Sequence, residues 1–206
     1  MDDRLHNMSD GDDPRRPAIV RGEGITSSER YLATLSEKSF LNLWSYPNTF
    51  RDQMIHPGAN QGKELCDLLV VCPPHIIIFS EKTITWQSDK TAEIAWPRWF
   101  RSAIEDSAKQ IRGAERWITQ YPDRIFLDPA CRTPLPIPLP PPGERVIHRV
   151  VIAQGAAEAC RQHFGTGRGS LRIKPAIEGQ AHFKQIHGKE IDPFCIGDIK
   201  PNEPFV

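Results

Sequence analysis

An acid and a lysine stand at the borders of the two most apolar segments of the chain. Asp67 precedes the run LLVV, and Glu81 and Lys82 follow the run IIIF after a single serine. A charged side chain beside a buried strand is unfavourable unless it is paired, binds a metal or lies at the strand end. A carboxylate at such an end can bind Mg²⁺, and a neighbouring lysine can orient water or offset charge on a phosphoryl group. These residue types therefore predict a hydrolytic site at two adjacent strand ends.

Two strands are predicted to carry these groups. The segments LCDLLVVC and HIIIFSEKTITW are separated only by Pro73 and Pro74, which is the spacing of an antiparallel hairpin. A helix is predicted to begin at Thr26, because Thr26 and Glu29 have the spacing of a capping box, and to end at Pro47. The segment NTFRDQ then gives a short strand.

A second helix and a further strand follow the hairpin. Pro97 occupies a position typical of the first turn of a long helix, and RIFLD reads as a strand after it. The order is helix, strand, strand, strand, helix, strand, followed by a smaller α/β piece. This order predicts an α/β or α+β fold with a mixed sheet flanked by helices.

Four regions are predicted along the chain. Residues 1–24 form a polar, disordered tail, residues 25–130 a core, and residues 131–144 a proline-rich connector. Residues 145–206 form an α/β extension, predicted to be incomplete because it ends on Pro-Phe-Val without a cap.

Composition narrows the class of protein. The net charge is zero and the pI about 7, so overall charge does not by itself indicate nucleic acid. No apolar stretch is long enough to cross a membrane and the acidic N-terminus is not a signal peptide, which predicts a cytoplasmic protein with no membrane partner. Five cysteines without a CxxC pair predict reduced thiols and no zinc.

The order of elements, with Asp67 on one strand and Lys82 on the next, resembles the PD-(D/E)XK nuclease superfamily. The resemblance covers residues from about 26 to 128 and implies a restriction-endonuclease-like sheet. It also implies that Asp67, Glu81 and Glu37 are catalytic carboxylates that bind Mg²⁺ or Mn²⁺. Lys82 is then the catalytic lysine, and Gln110 is the glutamine that recurs on the later helix.

The sequence departs from this pattern at Ser80, where the resemblance implies an acid. Side chains alternate along a strand, so Glu81 points away from Lys82 unless a β-bulge turns it inward. Glu37, which shares a helix stripe with apolar residues, and Glu64 are the other candidates for the missing carboxylate. All three alternatives are open at the level of sequence.

The second helix carries a basic stripe that could contact phosphates, formed by Arg98, Arg101, Lys109, Arg112 and Arg116. Gln110, Arg112 and Arg116 are the predicted nucleic-acid-binding residues. The alternative is a solvated face with the ion pairs Arg101–Glu105 and Glu105–Lys109. Trp96 and Trp99 could stack on unpaired bases, although core packing is the favoured interpretation.

These features predict a metal-dependent nucleic-acid phosphodiesterase, an endonuclease acting in defence or DNA repair, with DNA favoured over RNA as its partner. The alternative is a catalytically inactive nuclease-like module that binds DNA or a protein. Ser80 favours that alternative. A protein partner or a second copy of the chain remains open.

Overall fold

A five-stranded mixed sheet forms the centre of the computed structural model, which describes residues 22–53, 61–186 and 188–199. The predicted disordered tail falls outside these residues except for its last three positions. The helices are α1 (Ser27–Trp44), α2 (Ala92–Phe100), α3 (Asp106–Gln120) and α4 (Ala157–Phe164). The strands are β1 (Ser45–Asp52), β2 (Gly62–Cys72), β3 (His75–Thr83), β4 (Ile125–Phe126), β5 (Val146–Gln154), β6 (Arg172–Glu178) and β7 (Cys195–Asp198).

The strand order in the main sheet is β4-β1-β2-β3-β5. The predicted hairpin is present: β2 and β3 pair antiparallel from Leu68 opposite Phe79 to Cys72 opposite His75. Strands β1 and β2 are also antiparallel, whereas β5 runs parallel to β3. The predicted mixed α/β fold class is therefore confirmed.

Helix α1 begins as the capping box predicts. Thr26 is its N-cap, and its hydroxyl oxygen accepts a hydrogen bond from the backbone N–H of Glu29 at 3.1 Å. The predicted end at Pro47 is wrong, because the helix ends at Trp44 and Pro47 lies inside β1. Pairing of β1 with β2 extends the strand past the proline, and Tyr46 is completely buried beneath it.

Pro97 does not begin a helix. Helix α2 begins five residues earlier at Ala92, and a wider π-helical segment, Arg101–Glu105, joins it to α3. Burial explains the earlier start, because Trp96 already belongs to an apolar cluster that includes Phe100. Trp96 and Trp99 are core residues, as favoured from the sequence.

The connector does not separate two independent pieces. Strand β5 follows it in the chain and pairs with β3 along its whole length, from Val146 opposite His75 to Gln154 opposite Thr83. This pairing covers a strand edge that would otherwise be exposed. The boundary predicted near residue 145 is therefore wrong for the main sheet, and only the region after β5 forms a separate two-stranded parallel sheet, β6–β7.

The main sheet is covered on both faces. Leu69, Val71, Ile76 and Ile78 pack against Ile111 and its neighbours on α3. Leu68 and Val70 pack on the other side with Leu32 of α1. In the part of the chain that the structure describes, no helix is long and apolar enough to cross a membrane.

Candidate functional site

Asp67 lies in the middle of β2, so its predicted place at a strand end is wrong, because β2 begins five residues earlier at Gly62. Its side chain is on the face covered by α3, in phase with Leu69 and Val71. Only 8% of the residue is exposed. Its Oδ2 accepts a hydrogen bond from the backbone N–H of Glu81 at 2.5 Å, and its Oδ1 lies 3.5 Å from Nε2 of Gln110. Strand β3 and helix α3 thus fix both oxygens of the carboxyl group.

This environment changes the acidity of Asp67. Burial, with smaller contributions from the nearby charges of Glu64 and Glu29, raises the pKa of its carboxyl group, which is about 6 with all contacts included. The Glu81 N–H and the positive charge of Lys82 oppose that rise. Asp67 therefore titrates close to neutral pH. Two neighbouring carboxylates, Glu64 and Glu29, and one ammonium group, Lys82, act on it.

Lys82 lies on the same face of the sheet as Asp67, because it is in phase along β3 with Ile76 and Ile78. The lysine is half-buried. Its charge reaches Asp67, since it lowers the pKa of that carboxyl group. The structure therefore brings together the acid and the lysine with which the sequence analysis began.

Ser80 lies between them on this face and is completely buried. Its hydroxyl donates a hydrogen bond to Oε1 of Gln110 at 3.3 Å. Gln110 is thus held between Asp67 and Ser80, at the site itself. Its side-chain amide is directed at the Asp67 carboxyl group, and its predicted contact to nucleic acid stays a prediction.

Glu81 points to the opposite face. Its Oε1 accepts hydrogen bonds from Thr83 and Gln154, each at 2.9 Å, and its Oε2 accepts one from Ser28 of α1 at 2.9 Å. The register between β3 and β5 is unbroken across Glu81, so no bulge turns its side chain toward Asp67. The bulge hypothesis is wrong, and the structure gives Glu81 a different place: it fastens the first turn of α1 to the sheet.

Glu37 is also not brought to the site. It is exposed on α1, because the helix packs through Leu32 and its neighbours rather than through the stripe containing Glu37. A different acid of α1, Glu29, is the one whose charge acts on Asp67. Glu29 shares the amide of Asn48 with Glu64, at 3.1 Å to Glu29 and 3.3 Å to Glu64.

Glu29 was noticed in the sequence only as part of the capping box. Burial alone would raise the pKa of Glu29, but hydrogen bonds from the Ile25 N–H, Asn48 and Thr26 together hold it below its usual value. Glu29 is thus an ionised carboxylate. Its position beside Asn48 depends on how α1 packs against β1, which no local pattern reveals.

The carboxylate oxygens of Asp67 are ligand atoms of the type that a hard cation such as Mg²⁺ prefers. No three Asp, Glu, His or Cys side chains among the described residues are close enough together to bind one ion. Mg²⁺ commonly uses only one or two protein carboxylates and completes its shell with water and phosphate oxygens. Asp67 supplies one such carboxylate, and the negative charge of Glu64 acts on it.

The basic stripe divides into separate environments. Lys109 forms the predicted ion pair with Glu105 at 3.1 Å. Arg98 donates to Gln87, and Arg101 lies over the ring of Phe183. Arg112 is half-buried and Arg116 is exposed. The ion pair and the packing of Arg101 agree better with a solvated, partly packed face than with one continuous phosphate-binding stripe.

The chain matches no protein-family model, no curated protein and no solved structure. Function must therefore be argued from the Asp67 site itself.

Proposed function

We propose that this protein is a metal-dependent nucleic-acid phosphodiesterase of the PD-(D/E)XK type. The observation that carries the proposal is the placement of Asp67 and Lys82 on one face of adjacent strands, close enough for their charges to interact. The order helix, three antiparallel strands, helix and strand, from α1 to β4, supports it, because it is the order on which the resemblance rests.

Each residue of the site has a distinct task in this proposal. Asp67 supplies the principal carboxylate, and Gln110 and the Glu81 N–H hold it in one orientation. Glu64 and Glu29 add negative charge at the rim, joined through Asn48. A bound Mg²⁺ would polarise the phosphoryl group and lower the pKa of a water molecule.

Lys82 acts on the same side as Asp67. A half-buried ammonium group there offsets charge that develops on the phosphoryl oxygens and orients the attacking water. Partial burial strengthens both effects, since the local dielectric is lower than that of water.

A specific observation favours the inactive alternative. Ser80 is buried where the resemblance implies an acid, and the Glu81 carboxylate is directed to the other face of the sheet. A site with one central carboxylate holds a metal ion weakly in the absence of a phosphate ligand. The alternative is a nuclease-like module that binds nucleic acid without cleaving it.

The deciding experiment is a cleavage assay with linear DNA, circular DNA and RNA, each with Mg²⁺, Mn²⁺ or EDTA. We expect metal-dependent cleavage by the parent protein and a loss of at least about a hundredfold in Asp67→Asn and Lys82→Ala. Glu37→Gln, an exposed change on α1, is the matched control and should cleave normally. Full activity in Asp67→Asn would exclude this site, and binding without cleavage by the parent would favour the inactive module.

A further inference from the structure

A cavity of about 500 Å³ opens beyond the carboxyl ends of the parallel pair β3 and β5. Ligands of open α/β sheets characteristically bind beyond the carboxyl ends of parallel strands. The side chains that line this cavity include an aromatic pair, a hydroxyl, an amide, a cation and an imidazole, namely Trp86, Phe194, Ser88, Gln162, Lys90 and His163.

The backbone beneath the cavity is held tightly. Gly155 has φ +103°, and a Cβ at this position would lie 1.9 Å from the carbonyl oxygen of Ile84. Glycine therefore allows the two chain segments to touch where β3 and β5 end. The indole N–H of Trp99 lies 3.1 Å from the Ile84 carbonyl oxygen and 3.2 Å from that of Gln154. The floor of the cavity is thus preformed.

Trp86 is the feature of the cavity that indicates a ligand class. It is half-buried and stacks on the fully buried Phe194, with ring centroids 5.0 Å apart and planes 30° from parallel. Phe194 is in turn packed against Trp96. A tryptophan supported in this way presents a fixed flat surface, and stacking on such a surface is how proteins bind unpaired bases.

The polar groups around Trp86 suit the edge of a base. The Ser88 hydroxyl and the Gln162 amide can each donate and accept hydrogen bonds. The Glu158 carboxylate, which could repel a phosphate, is already bound by Arg161 and Gln162. Lys90, whose ammonium group is paired with the exposed Asp89 at 3.0 Å, places a cation at the same cavity. A flat, polar-edged ligand attached to a phosphate matches this combination.

The cavity also lies close to the proposed active site along the chain. Trp86 follows Lys82 by four residues, so the Cα atoms of the two residues are at most about 13 Å apart even in extended backbone. A nucleic-acid strand bound at Lys82 can therefore reach the cavity within a few nucleotides. A base that is paired and stacked in a duplex cannot enter, because its faces and its edge are already occupied.

We infer that the cavity over Trp86 binds an unpaired nucleobase, so that the protein acts on single strands or on unpaired ends and loops. This inference rests on the proposed function and names its substrate class.

Binding to a fluorescent single-stranded oligothymidine and to a fluorescent blunt-ended duplex that has no loop or unpaired base, in EDTA and at one fixed low salt concentration, tests the inference without cleavage. The parent protein should bind the single strand more tightly than the duplex. Trp86→Ala should weaken single-strand binding about tenfold or more, and Trp86→Phe should restore much of it. Ile173→Ala is the control, because it shortens an apolar side chain on β6 that is 83% exposed, and it should leave binding unchanged.

A crosslink covers the case in which Trp86→Ala does not fold. An oligonucleotide carrying 5-iodouracil, irradiated with the parent protein, should attach to the peptide that contains Trp86. Attachment only elsewhere, unchanged affinity in a folded Trp86→Ala, or equal affinity for strand and duplex would each overturn the inference.

The cleavage assay separates this inference from the proposed function. If the parent protein binds single strands through Trp86 but never cleaves them, the phosphodiesterase proposal is wrong and the inferred base-binding cavity is supported. If the parent protein cleaves and Trp86→Ala binds and cleaves equally well, the phosphodiesterase proposal is supported and the inferred base-binding cavity is wrong.

Discussion

Glu81 contacts Asp67 through its backbone and not through its side chain. Its N–H donates to Oδ2 of Asp67 on the α3 face, while its carboxylate binds Ser28 on the α1 face. One residue therefore orients the central acid and also fastens the helix that carries Glu29. This arrangement follows from the regular alternation of side chains along β3. The backbone N–H of Glu81 therefore lies at the site, while its carboxylate, which a metal ion would need, lies on the other face of the sheet.

Asp67→Asn should stabilise the protein at neutral pH. Burial raises the pKa of Asp67 to about 6 from 3.8, so the folded state binds a proton more tightly than the unfolded state. The favourable contribution of the protonated group is complete below about pH 4 and is lost as the pH rises through about 6. We expect the variant to be more stable than the parent by about 2 to 3 kcal/mol above that range and equal to it at about pH 4. Urea unfolding of both proteins across this range measures the difference, and a gap independent of pH would contradict the assigned cause.

Mg²⁺ should stabilise the parent protein only when Asp67 is ionised. A proton and a cation compete for this carboxyl group, whose pKa is about 6. We expect the melting temperature to rise with added Mg²⁺ above that pH, and the rise to disappear as the pH falls through it. Thermal melts in Mg²⁺ and in EDTA at several pH values test this. Asp67→Asn, used as the control, should show no rise, and an equal rise in that variant would place the ion elsewhere.

Glu81→Gln should be tolerated, whereas Glu81→Ala should not. A glutamine can accept from Thr83 and Gln154 through its oxygen and donate to Ser28 through its amide, so the three contacts survive. Alanine removes the acceptor of three hydrogen bonds, one from the half-buried Ser28 and two from the exposed Thr83 and Gln154, which costs about 2 kcal/mol. Denaturant unfolding with a parallel cleavage assay distinguishes the two variants. Loss of cleavage in a stable Glu81→Gln would instead show that the carboxylate is needed for chemistry.

Glu29 and Glu37 lie on one helix and give a matched pair of variants. Glu29→Gln removes a charge that raises the pKa of Asp67, so that pKa should fall below about 6. The variant should also cleave more slowly, because a carboxylate is lost from the rim of the site. Glu37 is exposed, so Glu37→Gln should change neither quantity. The acid limb of the pH–rate profile reports the shift, and a profile unchanged in Glu29→Gln but altered in Glu37→Gln would reverse the assignment.

Some of this site was predictable because it depends on neighbours in the chain. The capping box at Thr26 and the hairpin across Pro73 and Pro74 use contacts a few residues apart, and both are present. Strand alternation, with a period of two, also implied that Lys82 and Glu81 point to opposite faces unless the strand is bulged.

The sequence by itself determined which groups face one another across the hairpin, because the register of two adjoining strands fixes that. Tertiary packing decided the rest. Whether Glu29 or Glu37 approaches Asp67 depends on the rotation of α1 against the sheet, which is set by burial of Leu32 and its partners. The position of Gln110 beside Asp67 depends in the same way on how α3 packs against the sheet. Both contacts join residues far apart in the chain, so their free energy comes from burial of the whole apolar face and leaves no local pattern in the sequence.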